Sequence, residues 1–310
     1  MKPPVTESGP DRDHKNFAVI GGGKVGVALA RQLLAAGYTS TGIACRTKGS
    51  AEKAADLAGL TVSTSTPWQI TINAGIVFIT TPDSAIADTC RDITAHQGFG
   101  PGAVVLHCSG ALPSTILTVP DNMDIARGSF HPLQSFATTD IAGNPFQGII
   151  AAVEGDPPAV TMAQAIGRSL GTTCFEIKTE GKSLYHAAAV VASNYLITLL
   201  ENALTLLEAA GIDRADALAI LRPLIKGTLA NIDRAGIPQA LTGPVARGDL
   251  DTIAAHLDNI STETSNLLPF YKMMGEFTIP IALAKGTLSE AAAHRLQELF
   301  KTSSGPSETG

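Results

Sequence analysis

Five polar side chains lie in short segments whose residue types suit proton transfer and anion binding. His131 lies in the segment SFHPLQSF and Ser109 in HCSGAL, Lys182 and His186 are four residues apart, and Arg247 lies in TGPVARGD. Hydride transfer to a C=O or C=N bond needs a group that polarises the acceptor and supplies a proton, and a cation can hold a substrate carboxylate. The sequence contains candidates for each of these roles.

The sequence GGGKVG at residues 21–26 follows an apolar run and opens an Ala/Leu-rich helix pattern. Gly21, Gly23 and Gly26 thus occupy the positions of a G-x-G-x-x-G fingerprint. The first permits a tight turn, the second lets backbone N–H groups meet a pyrophosphate, and the third lets the helix lie close to the sheet. A glycine turn without a ligand is the alternative. The predicted cofactor-binding loop comprises Gly21, Gly22, Gly23, Lys24, Val25 and Gly26.

The second predicted strand ends about 20 residues beyond the fingerprint, where an acidic residue would bind the ribose of NAD. The residues here are Arg46, Thr47, Lys48 and Ser50. Positive charge and hydroxyl groups suit the 2′-phosphate of NADP, so NADP(H) is predicted as the cofactor. A solvated surface arginine is the alternative for Arg46.

The fourth predicted strand, residues 76–80, runs into Thr81 and Pro82 at the edge of the sheet where cofactor binds in this architecture. Thr80, Thr81 and Pro82 are therefore predicted to line the cofactor. Asp83 is expected to cap the following helix. Ser109 and the N–H groups of its turn are expected to hold the carboxamide or the substrate.

Short apolar runs alternate with helical patterns from Phe17 to Ile177, which predicts an α/β, doubly wound, mainly parallel sheet. The strands then stop and the chain reads as an all-α region. The predicted organisation is a Rossmann NADP-binding domain at 16–178, a helical substrate and dimerisation domain at 179–301, and flexible tails at 1–15 and 302–310.

Helical patterns in the second half cover residues 183–210, 214–235, 250–271 and 289–301. Gly211 and Gly248 are expected to end helices, and Asp213 and Asp249 to cap the next ones. Residues 187–200 are apolar almost all round, which predicts a helix buried in a bundle.

Composition argues against several function classes. The net charge is −6 with no block of like charges, so neither nucleic acid nor an anionic membrane is an expected partner. Four scattered cysteines, Cys45, Cys90, Cys108 and Cys174, fit neither a metal site nor a disulfide framework. With no signal-peptide pattern, a cytoplasmic location is expected.

Four segments together, the glycine loop, HCSGAL, SFHPLQSF and the Tyr185 to Tyr195 stretch, make the chain resemble the family named for a Rossmann-like domain joined to a DUF2520 domain. The resemblance covers about residues 16 to 300. The chain is more distantly similar to ketopantoate reductase, pyrroline-carboxylate reductase, prephenate dehydrogenase and deazaflavin-dependent NADP reductases. The resemblance implies an NAD(P) cofactor and a second domain of the helical type found in 6-phosphogluconate dehydrogenase, which commonly forms a homodimer.

The resemblance also suggests roles for individual residues. Prephenate dehydrogenases carry a similar His-Pro, which implies a substrate contact or acid role for His131; a histidine bonding a loop carbonyl is the alternative. Ketopantoate reductases carry a lysine at a similar helix start and an amide residue one turn later. Lys182 matches the lysine, but the residue one turn later is His186, so the match is partial. Lys182 is therefore a candidate proton donor, with a surface lysine as the alternative. Lys182, His186 and Ser193 would share one face of a predicted helix, and Asn194 is a further candidate at the edge of that face.

These observations predict an NADP(H)-dependent oxidoreductase acting on a small carbonyl or imine acid, with a ketopantoate-like 2-keto acid as one plausible substrate. Lys182 or His131 would supply the proton and Arg247 would anchor a carboxylate. Two alternatives remain open. One is a non-catalytic NADP-binding sensor, and the other is a deazaflavin-dependent NADP reductase.

Overall fold

The computed structural model describes residues 15–136 and 143–301. The predicted tails at 1–15 and 302–310 therefore lie, except for Lys15, outside the described residues. Contacts divide the chain into two compact units, the first ending at Ala192 and the second beginning at Ser193. The predicted domain boundary near residue 178 stays a prediction.

The first unit contains a sheet with the strand order β3-β2-β1-β4-β5-β6-β7-β8. Neighbouring strands run parallel except at the β6–β7 pair, which is antiparallel. The predicted α/β, mainly parallel sheet is confirmed. The strands are β1 (Asn16–Ile20), β2 (Thr39–Ala44), β3 (Ser63–Thr64), β4 (Ile76–Ile79), β5 (Ala103–His107), β6 (Ile125–Pro132), β7 (Ile150–Gly155) and β8 (Thr173–Glu176).

Helices connect these strands and make up most of the second unit. Those of the first unit are α1 (Lys24–Ala35), α2 (Lys48–Ala58), α3 (Trp68–Thr71), α4 (Asp83–Ala95) and α5 (Pro157–Leu170). They are followed by α6 (Lys182–Ala209), α7 (Arg214–Ala235), α8 (Ile237–Ala240), α9 (Pro244–Arg247), α10 (Leu250–Glu263), α11 (Leu268–Lys285) and α12 (Glu290–Lys301). The helix α6 begins in the first unit and continues into the second.

Both faces of the sheet are covered by apolar side chains. Along β1, Phe17 and Val19 pack on the face covered by α1, α2 and α5. Ala18 and Ile20 point to the opposite face, which packs against α3 and α4. Successive strand residues face opposite sides, so the burial of all four residues from Phe17 to Ile20 requires a covering layer on each face of the sheet.

The predicted capping residues and helix-ending glycines of the second unit adopt the predicted roles. Asp213 accepts a hydrogen bond from the Ala215 N–H, and Asp249 accepts one from the Thr252 N–H. Gly211 and Gly248 both adopt positive φ, as expected where a helix ends.

The predicted helix over residues 250–271 is wrong as a single element. The helix α10 ends at Glu263, Thr264 leaves helical geometry with φ −146°, and α11 starts afresh at Leu268. Pro269 follows immediately, and a proline is favoured in a first helical turn because its missing N–H would have no partner there.

The prediction that residues 187–200 are buried in a bundle is also wrong within this chain. Tyr195 is 60% exposed and Ile197 is 69% exposed. By length and composition alone, Thr179–Ala209 is the one helical stretch in the described ranges that is long and apolar enough to cross a membrane. Apolarity indicates that a surface avoids water, but it does not identify what covers it.

A parallel-stacked aromatic pair lies in the first unit. Trp68, at the start of α3, stacks on His96 at the end of α4, with ring centroids 3.6 Å apart and nearly parallel planes. Trp68 is the single tryptophan of the chain.

Replacing Gly26 by alanine should destabilise the first unit, because the added Cβ would lie 2.1 Å from the carbonyl oxygen of Gly21. Overpacking of this kind costs about 1–3 kcal/mol. Gly49→Ala is the matched control, since nothing lies within 4 Å of its Cβ position, and alanine there should stabilise α2 slightly. Urea denaturation measures both, and equal stabilities would contradict the packing argument.

Candidate functional site

The glycine loop between β1 and α1 has the geometry of a phosphate cradle. Gly21 has φ +112°, and a Cβ there would lie 2.7 Å from the Thr80 carbonyl carbon. Gly26 packs against Gly21, whereas Gly23 has no atom within 4 Å of its Cβ position. The loop therefore packs tightly against the sheet at Gly21 and Gly26 and leaves open space at Gly23, as a pyrophosphate site requires. Lys24 is exposed and Val25 half-buried at the start of α1.

Thr80, predicted to line the cofactor, supports the loop. Its hydroxyl lies 2.7 Å from the Gly21 carbonyl oxygen and 3.2 Å from that of Ile20. The neighbouring Thr81 hydroxyl is buried and has no hydrogen-bond partner among the described residues, so it could serve a bound group. Pro82 follows and is exposed.

The second predicted cofactor segment lies at the start of α2. Thr47 caps this helix, accepting from the Ser50 N–H and donating to the Ser50 hydroxyl at 2.8 Å. Arg46 and Lys48 are exposed beside the cap. The glycine loop packs closely against α2, since a Cβ on Gly22 would lie 2.4 Å from the Cβ of Ala54 in that helix. Cations beside the positive end of a helix dipole form a surface suited to a phosphate.

Asp83 does not cap α4, contrary to the prediction. Its carboxylate instead accepts a hydrogen bond from the Ser109 hydroxyl at 2.8 Å, which joins the loops after β4 and β5. The Ser109 oxygen also accepts from the N–H groups of Ala111 and Leu112. Ser109 is thus buried with its hydroxyl committed to holding these loops.

His131 lies within the carboxyl end of β6, which runs through Pro132. Its Nδ1 is 2.9 Å from the Tyr185 hydroxyl, a side-chain contact in place of the loop-carbonyl alternative. Burial, then the charge of Lys182, lowers the pKa of His131 to about 4. His131 is therefore neutral at physiological pH.

Gly110 allows two imidazoles to approach the loop after β5. A Cβ at this position would lie 2.5 Å from Nδ1 of His186 and 2.7 Å from Nε2 of His131. The His186 Nδ1 is buried and has no partner among the described residues. A small group bound beside Gly110 could therefore reach both rings.

Lys182, the first residue of α6, is not a surface lysine. Its side chain is 1% exposed, and its ammonium donates to Glu154 of β7 at 2.9 Å and to the Ser129 hydroxyl of β6. Burial lowers the pKa of Lys182, and the Glu154 carboxylate opposes this shift.

Glu154 is the acceptor at the centre of this buried network. Besides Lys182, its carboxylate accepts from the Ser114 N–H and hydroxyl and from the Thr179 hydroxyl. Burial favours the protonated form, but Lys182 and these hydrogen bonds outweigh it and hold the pKa of Glu154 below its ordinary value. His107 lies beside the network on β5, and it is fully buried as expected.

Arg247 and Asn194 belong to the second unit. Arg247 ends α9, 65% exposed, with its guanidinium 3.7 Å from the carboxylate of Asp249. Asn194 is exposed on α6. The structure brings together His131, His186, Lys182 and Ser109, all in the first unit.

Sequence reasoning did not assign a role to Glu154 or Tyr185. The signal for Glu154 was a carboxylate in the otherwise apolar strand GIIAAVEG, where burial demands a cationic partner. Tyr185 stands three residues after Lys182, the spacing that places two side chains on one helix face. In the described ranges no cluster of three or more His, Cys, Asp or Glu side chains could hold a metal.

The sequence matches two family models. The model of a Rossmann-like domain covers residues 1–130, and that of the domain of unknown function DUF2520 covers residues 149–278. The chain therefore belongs to the proteins that combine a Rossmann-like domain with a DUF2520 domain. No curated protein matches the sequence.

Solved structures share the fold. A proposed NADP oxidoreductase from Bacteroides fragilis is 22% identical, with a TM-score of 0.69, covering 86% of this chain and 100% of that chain. A protein from Thermotoga maritima is 24% identical, with a TM-score of 0.64 and coverages of 87% and 99%. A reductive aminase from Aspergillus terreus, in complex with NADPH and ethyl-5-oxohexanoate, is 16% identical, with a TM-score of 0.58 and coverages of 92% and 92%.

The protein should lose stability as the pH falls from about 6.5 to about 4. Burial, then Lys182, lowers the pKa of His107 to about 3, and the pKa of His131 is about 4. In the unfolded chain both titrate near about 6.5, so in this window the unfolded state binds more protons and the free energy of unfolding decreases as the pH falls. Urea denaturation across the window measures this, and His131→Asn should weaken the dependence. An unchanged dependence would contradict the shift assigned to His131.

Lys182→Met should be strongly destabilising, because it leaves the Glu154 carboxylate buried without its cation. Breaking one side of a buried pair costs about 3–5 kcal/mol. The double variant Lys182→Met/Glu154→Gln should recover part of this loss, since no charge remains buried. Exposed Lys178→Met is the control and should change stability little. A double variant no more stable than Lys182→Met would contradict the ion pair's role.

Proposed function

We propose that this protein is an NADP(H)-dependent oxidoreductase. The observation that carries the proposal is the glycine loop, which packs against the sheet at Gly21 and Gly26 and leaves open space at Gly23. The unpartnered Thr81 hydroxyl lies where the next loop begins, beside the backbone that approaches Gly21. These features fit the pyrophosphate and ribose region of a dinucleotide bound at the carboxyl ends of parallel strands.

The preference for the phosphorylated cofactor rests on the start of α2. Arg46 and Lys48 supply positive charge, and the Thr47 and Ser50 hydroxyls lie at the end of the helix where the dipole is positive. Both features favour a 2′-phosphate over a free 2′-hydroxyl. The NADPH complex of the structurally similar reductive aminase supports the same cofactor class.

A bound nicotinamide would supply or accept the hydride, and His131 is the proposed proton donor. We assign this role to His131 rather than to Lys182, because the Lys182 ammonium is buried and already donates to Glu154 and Ser129. His131 is half-buried, and its Nε2 lies beside Gly110. A neutral imidazole can donate a ring N–H to the carbonyl oxygen or imine nitrogen of the substrate, the role of a proton donor in the reductive direction.

The proposed substrate is a small carbonyl or imine acid, for which a ketopantoate-like 2-keto acid is an example. Arg247 is the proposed carboxylate anchor, since an exposed guanidinium can bind a carboxylate bidentately. The cluster of His131, His186 and Tyr185 favours catalysis over a non-catalytic NADP sensor, which would need no proton donor.

Thermal melting with NADP, NADPH, NAD and NADH tests the cofactor assignment. A ligand that binds only the native state at about 100 times its Kd adds about 2.7 kcal/mol of stability. NADP and NADPH should raise the transition, and Arg46→Asp should reduce those shifts far more than the shifts with NAD and NADH. Lys53→Asp, an equal charge change at an exposed position of α2, is the control.

Two outcomes would oppose the assignment. If Arg46→Asp reduced the melting shifts with all four nucleotides equally, Arg46 would not contact a 2′-phosphate. The absence of a shift with every nucleotide would mean that the glycine loop is not a working dinucleotide site.

We further propose that a second copy of the chain covers the exposed apolar residues of α6. Residues 187–200 contain no Asp, Glu, Lys or Arg, and Tyr195 and Ile197 are largely exposed. Surfaces of this kind mark interfaces, and a two-fold dimer would place equally apolar surfaces against each other.

Sedimentation in detergent-free buffer should give a dimer, and Ile197→Glu should shift it towards monomer, whereas exposed Ser183→Glu should not. A monomer that floats with phospholipid vesicles would instead favour a membrane surface.

A further inference from the structure

The first turn of α6 makes two polar contacts with one face of β6. Ser129 and His131 are two residues apart on the strand, so their side chains point to the same face. Lys182 donates to Ser129, and Tyr185 lies 2.9 Å from Nδ1 of His131. Lys182 and Tyr185 are three apart on the helix and share a face too. The turn and the strand thus face each other in a fixed register.

We propose that Tyr185, held in place by the buried Lys182–Glu154 pair, fixes the tautomer of His131 so that Nε2 carries the proton and faces Gly110. Tyr185, Lys182 and Glu154 are then positioning residues for the proton transfer, and the inference rests on the function proposed above. This positioning role is separate from cofactor binding by the glycine loop.

Hydrogen-bond accounting decides the direction of the Tyr185–His131 bond. A neutral imidazole has one N–H and one acceptor nitrogen. Burial raises the pKa of Tyr185 to about 12, so the phenol keeps its proton. If Nδ1 carried the hydrogen, Tyr185 would accept it and its own O–H would lack this acceptor, which is costly in a half-buried position. Donation from Tyr185 to Nδ1 uses both groups and leaves the hydrogen on Nε2.

The Lys182–Glu154 pair explains why the turn stays in this register. A lysine at the first position of a helix is repelled by the positive end of the dipole, so its placement there depends on a compensating anion. Glu154 supplies that anion from β7 and is itself held by Ser114 and Thr179. The side chains of Lys182 and Glu154 are each 1% exposed, so solvent does not weaken the attraction.

Several other groups surround His131. His186 lies one position after Tyr185 on α6, with its ring centroid 6.0 Å from that of His131. The charges of Lys182 and His186 disfavour a protonated His131, and Asp83 of α4 favours it. His107 on β5 is within electrostatic range and is itself neutral at physiological pH. None of these groups replaces Tyr185 as the partner of Nδ1 of His131, and Nδ1 of His186 faces Gly110.

Ring-nitrogen NMR of the full-length protein, labelled with ¹⁵N-histidine, tests the proposal without any cofactor. The chain has seven histidines, and His131→Asn assigns the signal of interest. Nitrogen shifts distinguish a protonated from an unprotonated ring nitrogen. The wild type should show His131 mainly as the Nε2–H form. Tyr185→Phe should lower the ratio of Nε2–H to Nδ1–H by about fivefold, the size expected for one neutral hydrogen bond.

The chain contains a matched control. Tyr271 and His256 form a second tyrosine–histidine hydrogen bond, with the Tyr271 hydroxyl 2.6 Å from Nδ1, in the second unit. Tyr271→Phe should change the His256 signals and leave His131 unchanged. The anchor is tested by Lys182→Met/Glu154→Gln, which should move the tautomer ratio of His131 in the same direction as Tyr185→Phe. If that variant does not fold, Ser129→Ala removes one partner of Lys182 and should act likewise.

An Nδ1–H form in the wild type, or a ratio unchanged by Tyr185→Phe, would overturn the assignment to Tyr185. A ratio unchanged in the folded anchor variant would overturn the role of Lys182 and Glu154. Because the measurement needs no nucleotide, its failure is separate from failure of the proposed function, which the melting shifts with NADP and NADPH report independently.

Discussion

The buried ion pair between Lys182 and Glu154 is the constraint on which the arrangement of the site depends. Two charges removed from water are stable only when their remaining hydrogen-bonding groups are satisfied. Glu154 meets this condition through Ser114 and Thr179, and Lys182 through Ser129. The pair therefore ties β6, β7 and the start of α6 together at one buried point. The position of Tyr185 against His131 is a geometric consequence of that attachment.

Polar contacts also connect the loops that follow the strands. The Thr80 hydroxyl holds the carbonyl oxygen of Gly21, which joins the loop after β4 to the glycine loop. Ser109 holds Asp83, which joins the loops after β4 and β5. Each link uses a side-chain hydroxyl that would otherwise be free for a ligand. The features beside these loops that remain available to a ligand include the open space at Gly23, the Thr81 hydroxyl and the imidazoles next to Gly110.

Local pattern was sufficient to predict the sheet, the glycine loop and the caps at Asp213 and Asp249, because each depends on a few consecutive residues. It failed where a partner distant in sequence decides the outcome. Asp83 was expected to cap its own helix, yet it accepts from Ser109, 26 residues away. The sequence does not decide between a surface lysine and a proton donor for Lys182, because its buried partner Glu154 lies 28 residues away. The exposure of α6 was not predictable either, since apolarity indicates that a helix is covered but not whether its own chain covers it.

The stacked pair of Trp68 and His96 gives the molecule a natural optical probe. Because Trp68 is the single tryptophan, intrinsic indole fluorescence arises from one place in the first unit. Far-ultraviolet circular dichroism, in contrast, is dominated by helices, many of which lie in the second unit. A single denaturation series followed by both signals therefore compares a local transition with a global one. Coincident curves would show one cooperative transition, and separate curves would show that the two units lose their structure independently.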